Sequence, residues 1–225
     1  MSKATLVTSL VVAALLTIQP ARPAPAQVAG SVPLREVRGQ TLISSERPKA
    51  ELTFAKGFGY VGGQQVNLYG MAEAEQHVFV VAGTNGVVER FYWVQFEHRV
   101  PTDQHTYNYQ GKTTDIGGLS FIYDVKSWPD YAASNAEDPA SDGAAVGRLL
   151  AQHNLAFPKK VARVRMFHLP TADRRSELMI IYGETLPENS DVPVRAGGVQ
   201  LDQESPASAQ MVLEHARRDL TIRQP

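Results

Sequence analysis

His77, His98 and His105 lie in one stretch of the chain, with Glu73, Glu75, Glu97 and Asp103 close by in sequence. Imidazole and carboxylate are the natural ligands for zinc, iron or copper where thiolates are absent, and this chain has no cysteine. The same groups can also move protons in general acid–base catalysis. Strand register decides which of them meet. Asn85-Gly86, set between two β-branched and aromatic runs, marks a primed turn and hence an antiparallel hairpin. A tight turn there places His77 opposite Val94, and His98 opposite Glu73 if the strand runs on. His77 and His98 are then roughly 13 Å apart along the ladder, too far to share an ion. A Glu73–His98 neighbour pair is explained equally well by an exposed ion pair. These groups are therefore expected to be polar strand-end residues facing water, with no metal site and no cofactor.

The segment 98–118 is the longest connection in the aromatic half of the chain, and long loops often carry binding or lid functions. It brings His105, Tyr107 and Tyr109, with Asp103, Lys112 and Asp115, and Thr106–Tyr109 alternates as a short strand would. The preceding strand has Phe91 and Trp93 on one face, followed by Gln95 and Glu97. An apolar wall ending in polar groups suits a ligand cavity. The expected ligand-binding set is therefore His105, Tyr107, Tyr109, Phe91 and Trp93; a central strand covered on both faces is the plainer alternative for the last two. Arg163 and Arg165 share one face of a later strand and could hold an anion, although a solvated face is commoner. The literal GxGxxG at Gly57–Gly62 runs into a strand-like segment, not a helix. It reads as a glycine-rich turn, because a dinucleotide site needs a helix N-terminus behind the glycines. No GxSxG, GxxxxGK[ST], HExxH or calcium-loop pattern is present.

The elements that must position these residues follow from periodicity. Of 18 aromatic residues, 15 fall between Phe54 and Tyr131, which places most strands there. Strands are expected over 51–56, 65–72, 77–82, 87–98, 119–127, 161–169 and 177–186. One helix is expected from an Asp138 cap with Pro139 at its first position, ending at Asn154. A second begins at Ser205-Pro206 and buries Ala209, Val212, Leu213, Ala216 and Leu220. The order βββββ-α-ββ-α excludes a doubly wound parallel sheet. It favours an α+β fold with one curved antiparallel sheet of about seven strands and two helices; a lipocalin-like barrel is the alternative.

Residues 1–26 read as a cleaved signal peptide: Lys3, an apolar run over 4–18, and Ala24-Pro25-Ala26 before Gln27. The run is shorter than a spanning helix needs. Residues 27–48 have no aromatic residue and are expected to be a flexible arm, leaving 49–225 as a single globular domain. With 22 Lys+Arg against 23 Asp+Glu there is no basic field to hold nucleic acid. The expectation is a periplasmic or extracellular protein with no membrane span once the signal is removed. It would bind a small apolar or amphipathic molecule, or an envelope protein, on its aromatic sheet. A hydrolase-like enzyme using His and carboxylate groups around 98–118 is the alternative.

Overall fold

The structure is a computed structural model that describes residues 35–225. The expected signal peptide, and the arm up to residue 34, lie outside the described residues. In chain order the elements are β1 (Glu36–Arg38), β2 (Thr41–Ser44), β3 (Ala50–Phe54), β4 (Gly59–Leu68), β5 (Ala72–Ala82) and β6 (Val88–Arg99). There follow β7 (Lys112–Ile116), β8 (Leu119–Trp128), α1 (Tyr131–Ala136), α2 (Asp142–Gln152), β9 (Val161–His168) and β10 (Ser176–Thr185). The chain ends with β11 (Val199–Gln200), α3 (Leu201–Glu204), α4 (Pro206–Arg218) and β12 (Leu220–Arg223).

The strands make two antiparallel sheets, not the single sheet expected. One has four strands in the order β1-β2-β3-β12. The other has eight, in the order β11-β8-β9-β10-β6-β5-β4, with β7 also paired to β8. The larger sheet stays open, ending at β4 on one side, so the barrel alternative does not hold. The smaller sheet arises from two segments that sequence periodicity undervalued. Part of the expected arm pairs as β1 and β2 because Leu42, fully buried, anchors it against β3. Leu220 and Ile222 point inward from a strand that pairs with β3, although Leu220 was expected to extend the helical stripe of α4.

Each face of the eight-stranded sheet is covered. On one face Phe79, Tyr92, Ile180 and Met166 pack against Leu52 and Phe54 of the small sheet and Val212 and Ala216 of α4. On the other, Phe91, Trp93, Val78 and Ile181 pack against Tyr131 of α1 and Val146, Leu149 and Leu150 of α2. The alternation along β6 thus sends Phe91, Trp93, Gln95 and Glu97 to the α1–α2 side. Gly183 stands opposite Phe91 in β10, and a Cβ there would lie 2.3 Å from the Phe91 ring.

The hairpin register follows the sequence expectation: His77 lies opposite Val94 and Glu73 opposite His98. The turn is looser than a two-residue one, since Gly83 N–H donates to Val87 O and a bulge precedes it between Val81 and Ala82. Helix α2 starts later than expected. Its cap is Ser141, whose Oγ accepts from the Ala144 amide at 3.1 Å, while Asp138 accepts from Ala140 N and from Tyr69 Oη. Of the GxGxxG segment, Gly59–Gly62 lies inside β4, and no helix follows. Among the described residues no helix is long and apolar enough to cross a membrane.

Candidate functional site

The α1–α2 face loses its helical cover toward the C-terminal end of β6. There Glu97 and Glu177 stand directly opposite each other on β6 and β10. Directly opposed residues in an antiparallel pair have Cβ atoms about 5 Å apart, so two like charges are held close together. Segment 100–111 folds over them. It is pinned to the β9–β10 connection by Tyr107 N–H to Arg174 O at 2.9 Å, Arg174 Nε to Tyr107 O at 2.7 Å, and Arg175 Nη2 to Val100 O at 2.8 Å. The cavity below has a volume of about 280 Å³, and its walls include Glu97, Glu177, Asp142, Tyr107, Tyr109, Arg99 and Arg165. Tyr69 and Met71 complete the rim, and both are exposed.

Tyr107 Oη donates to Glu97 Oε1 at 2.5 Å, and Tyr109 Oη donates to Glu177. Tyr109 is held by stacking on Phe167, with ring centroids 3.9 Å apart, and Tyr107 stacks behind it. Asp142 opens helix α2, where the helix dipole favours an anion, and accepts from the Gly143 amide at 2.7 Å. No Lys, Arg or His forms an ion pair with Glu97, Glu177 or Asp142 among the described residues. The two nearby guanidiniums are committed outward: Arg99 to Asp103 at 2.9 Å, Arg165 to Asp124 at 2.8 Å.

Burial without a counter-ion raises carboxyl pKa values. Burial first, and then the Glu97 charge, push Glu177 up to about 8. Burial raises Glu97 as well, opposed by its bonds from Tyr107 and Gln95. Burial likewise raises Asp142 against the pull of the Gly143 amide. Both phenols are pushed well upward by burial and by the facing glutamates, and so stay proton donors. The upward shifts mean that the opposed pair favours holding a proton over carrying two charges. Among the described residues no group of three or more His, Cys, Asp or Glu is arranged to hold a metal ion.

A second cavity of about 430 Å³ opens on the opposite face of the same sheet end, lined by Arg35, Arg47, Glu75, His98 and Ser176 among others. Its buried charges are matched. Arg35 Nη1 lies 2.6 Å from Glu75 Oε2, His77 Nε2 lies 2.8 Å from Glu75 Oε1, and Tyr60 Oη meets His77 Nδ1 at 3.0 Å. Burial lifts Glu75, but the His77 and Arg35 contacts outweigh it and hold the carboxyl below its usual range. That network fastens the start of the described chain to β5. Arg35, Glu75 and His77 are thus matched to one another, whereas the other cavity brings Glu97, which borders both, together with Glu177 and Asp142, none of them ion-paired among the described residues, and is the stronger candidate.

The structure splits the expected site. Tyr107 and Tyr109 line the cavity. His105 sits outside it, largely exposed, and pairs with Asp103 at 2.6 Å. Phe91 and Trp93 are buried under α1 and α2 and do not line it. His98 faces the other side of the sheet, where Nδ1 meets Ser176 Oγ at 2.9 Å. His77 is fully buried, not facing water. Arg163 and Arg165 both bond to Asp124, so neither offers a free anion site. Sequence reading missed Glu177 and Asp142. The available signal for Glu177 was an acid directly before the apolar run Leu178–Tyr182 of β10, since a buried strand position seldom carries an unpaired charge.

The chain matches no family model, and comparison with curated proteins and with solved structures finds no match.

Proposed function

We propose that this is an exported protein whose cleft over Glu97 and Glu177 binds a small organic molecule. The observation that carries the reading is a pair of directly opposed glutamates, without a counter-ion among the described residues, at the floor of a cavity. Such an arrangement costs stability, and function is the usual reason to keep it. Tyr69, Met71 and the Tyr107 ring supply apolar contact, while the carboxyl groups and phenols supply orientation. The ligand is a small amphipathic molecule that reaches the carboxyl groups with its polar end. A screen of small polar and amphipathic molecules by carboxyl-carbon NMR tests this. A binder should perturb Glu97 and Glu177 together. Tyr107→Phe should weaken it about tenfold, the scale of one hydrogen bond to a charged group. Binders that leave both glutamates unperturbed would overturn the reading.

A second reading is an acid–base hydrolase. It is favoured by the unequal environments of the two carboxyl groups, the pattern by which one acts as acid and the other as base. The histidines take no part in it. Chromogenic glycosides and esters are the test: turnover lost in both Glu97→Gln and Glu177→Gln supports it, and turnover unchanged in either removes it. Export is tested by N-terminal sequencing of protein recovered from its host, which should begin at or near Gln27.

A further inference from the structure

Behind the cavity, three glutamine side chains cross the sheet from β4 through β5 to β6. Gln64 Nε2 donates to Gln76 Oε1 at 2.7 Å, Gln76 Nε2 to Gln95 Oε1 at 2.8 Å, and Gln95 Nε2 to Glu97 Oε2 at 2.7 Å. Gln76 and Gln95 are at most 1% exposed, so water does not compete for these bonds. Their direction is set by partners with a single role. Gln76 Nε2 also reaches the backbone carbonyl of Asp142 at 3.2 Å, which only accepts. The indole Nε1 of Trp93, which only donates, reaches Gln95 Oε1 at 3.2 Å. Turning the Gln95 amide over would press its NH₂ against both the indole N–H and the Gln76 NH₂. Gln95 therefore has to present N–H to Glu97.

We infer that this amide chain places the single proton of the carboxyl pair on Glu177 and keeps Glu97 ionised, with Gln95 as the positioning residue. Both oxygens of Glu97 receive a donor, from Gln95 and from Tyr107. Glu177 receives one, from Tyr109, among the described residues. Three other groups oppose this, Asp142 by raising Glu97 and Arg165 and Arg99 by drawing Glu177 down, but less than burial and the Glu97 charge raise Glu177. Arg165, Arg99 and Asp142 line the same cavity, and the two arginines are turned to Asp124 and Asp103. A molecule entering the cleft consequently meets an acceptor on the β6 side and an O–H donor on the β10 side. The inference rests on reading this cavity as the working site, but its test needs no ligand.

The full chain, with ¹³C-labelled glutamate carboxyl groups, is titrated by NMR in wild type and in Gln95→Met. In the wild type at pH 6.5 Glu97 should be ionised and Glu177 protonated, and Glu177 should lose its proton near pH 8. In Gln95→Met the Glu97 midpoint should rise by about one pH unit, the equivalent of one charge-assisted hydrogen bond, while that of Glu177 falls. A merely structural glutamine would alter the melting temperature without moving these midpoints. A wild type with Glu97 protonated and Glu177 ionised would overturn the assignment even if the variant does not fold. A folded variant with unchanged midpoints would overturn the role of Gln95. Neither result bears on whether the cleft binds small molecules, which the ligand screen decides separately.

Discussion

At the residue level the molecule turns on buried and half-buried carboxyl groups that have no ion-pair partner among the described residues. Glu177 is the extreme case, and its effect on stability has a definite sign. Its carboxyl is pushed from an ordinary 4.5 up to about 8, so the native state keeps a proton that the unfolded chain releases. Stability contributed by that proton is complete below about pH 4.5 and is lost as pH rises through about 8. Wild type should therefore lose melting temperature steadily from pH 5 to pH 8.5. Glu177→Gln, a neutral isostere, should flatten this dependence and melt higher than wild type at pH 8.5. Parallel melting curves against pH for the two proteins would rule out a buried proton at this position. Tyr107 and Tyr109 were legible from sequence because aromatic residues in a long loop are conspicuous. Glu177 was not, because its partner Glu97 lies 80 positions away and only the β6–β10 register joins them.

At the level of elements, local signals read well and distant pairing did not. The β5–β6 hairpin register came from Asn85-Gly86 alone and holds along the ladder, even though the turn itself is looser than two residues. Gly86 has φ +77, and a Cβ there would lie 2.7 Å from the Asn154 backbone oxygen. Gly86→Val should thus cost about 1–3 kcal/mol, the scale of a strained backbone position. In β10, Gly183 makes room for the Phe91 ring, and Gly183→Ala should cost about 1–3 kcal/mol through overpacking. Gly147, inside α2, has nothing within 4 Å of a Cβ, so Gly147→Ala should stabilise by about 0.5–1 kcal/mol. Urea midpoints for the three variants should fall, fall and rise respectively. A Gly183→Ala protein as stable as wild type would show that the Phe91 ring can move, and with it the strand that carries Glu97.

Across the whole molecule, the central sheet serves two cores at once, and this is the level at which sequence reading had least to work with. Periodicity identified most strands of the large sheet but missed β7, inside the expected 98–118 loop, and β11, and it gave no sign that β3 would join β1, β2 and β12 in a sheet of their own. Those strands are short, and β12 pairs with β3 from the far end of the chain, a contact that local periodicity does not register. The two cores share the strands β5, β6, β9 and β10, whose side chains alternate between them. Rigid coupling is the expected consequence, because neither face can open without disordering the backbone of the other. Ile222 in β12 and the tryptophans report on opposite faces: Ile222 belongs to the core under the small sheet, while Trp93 and Trp128 pack with α1 and α2. Ile222→Ala should cost about 2–5 kcal/mol, as loss of a buried branched side chain does. Thr221→Ala, one residue away and exposed, should change stability by less than about 0.5 kcal/mol. The decisive measurement is the probe. If the sheet couples both cores, tryptophan fluorescence and far-ultraviolet circular dichroism should follow one transition, shifted equally by Ile222→Ala. A fluorescence transition left in place while the dichroism shifts would mean that the helix-covered face, and the carboxyl site at its open end, fold independently of the small sheet.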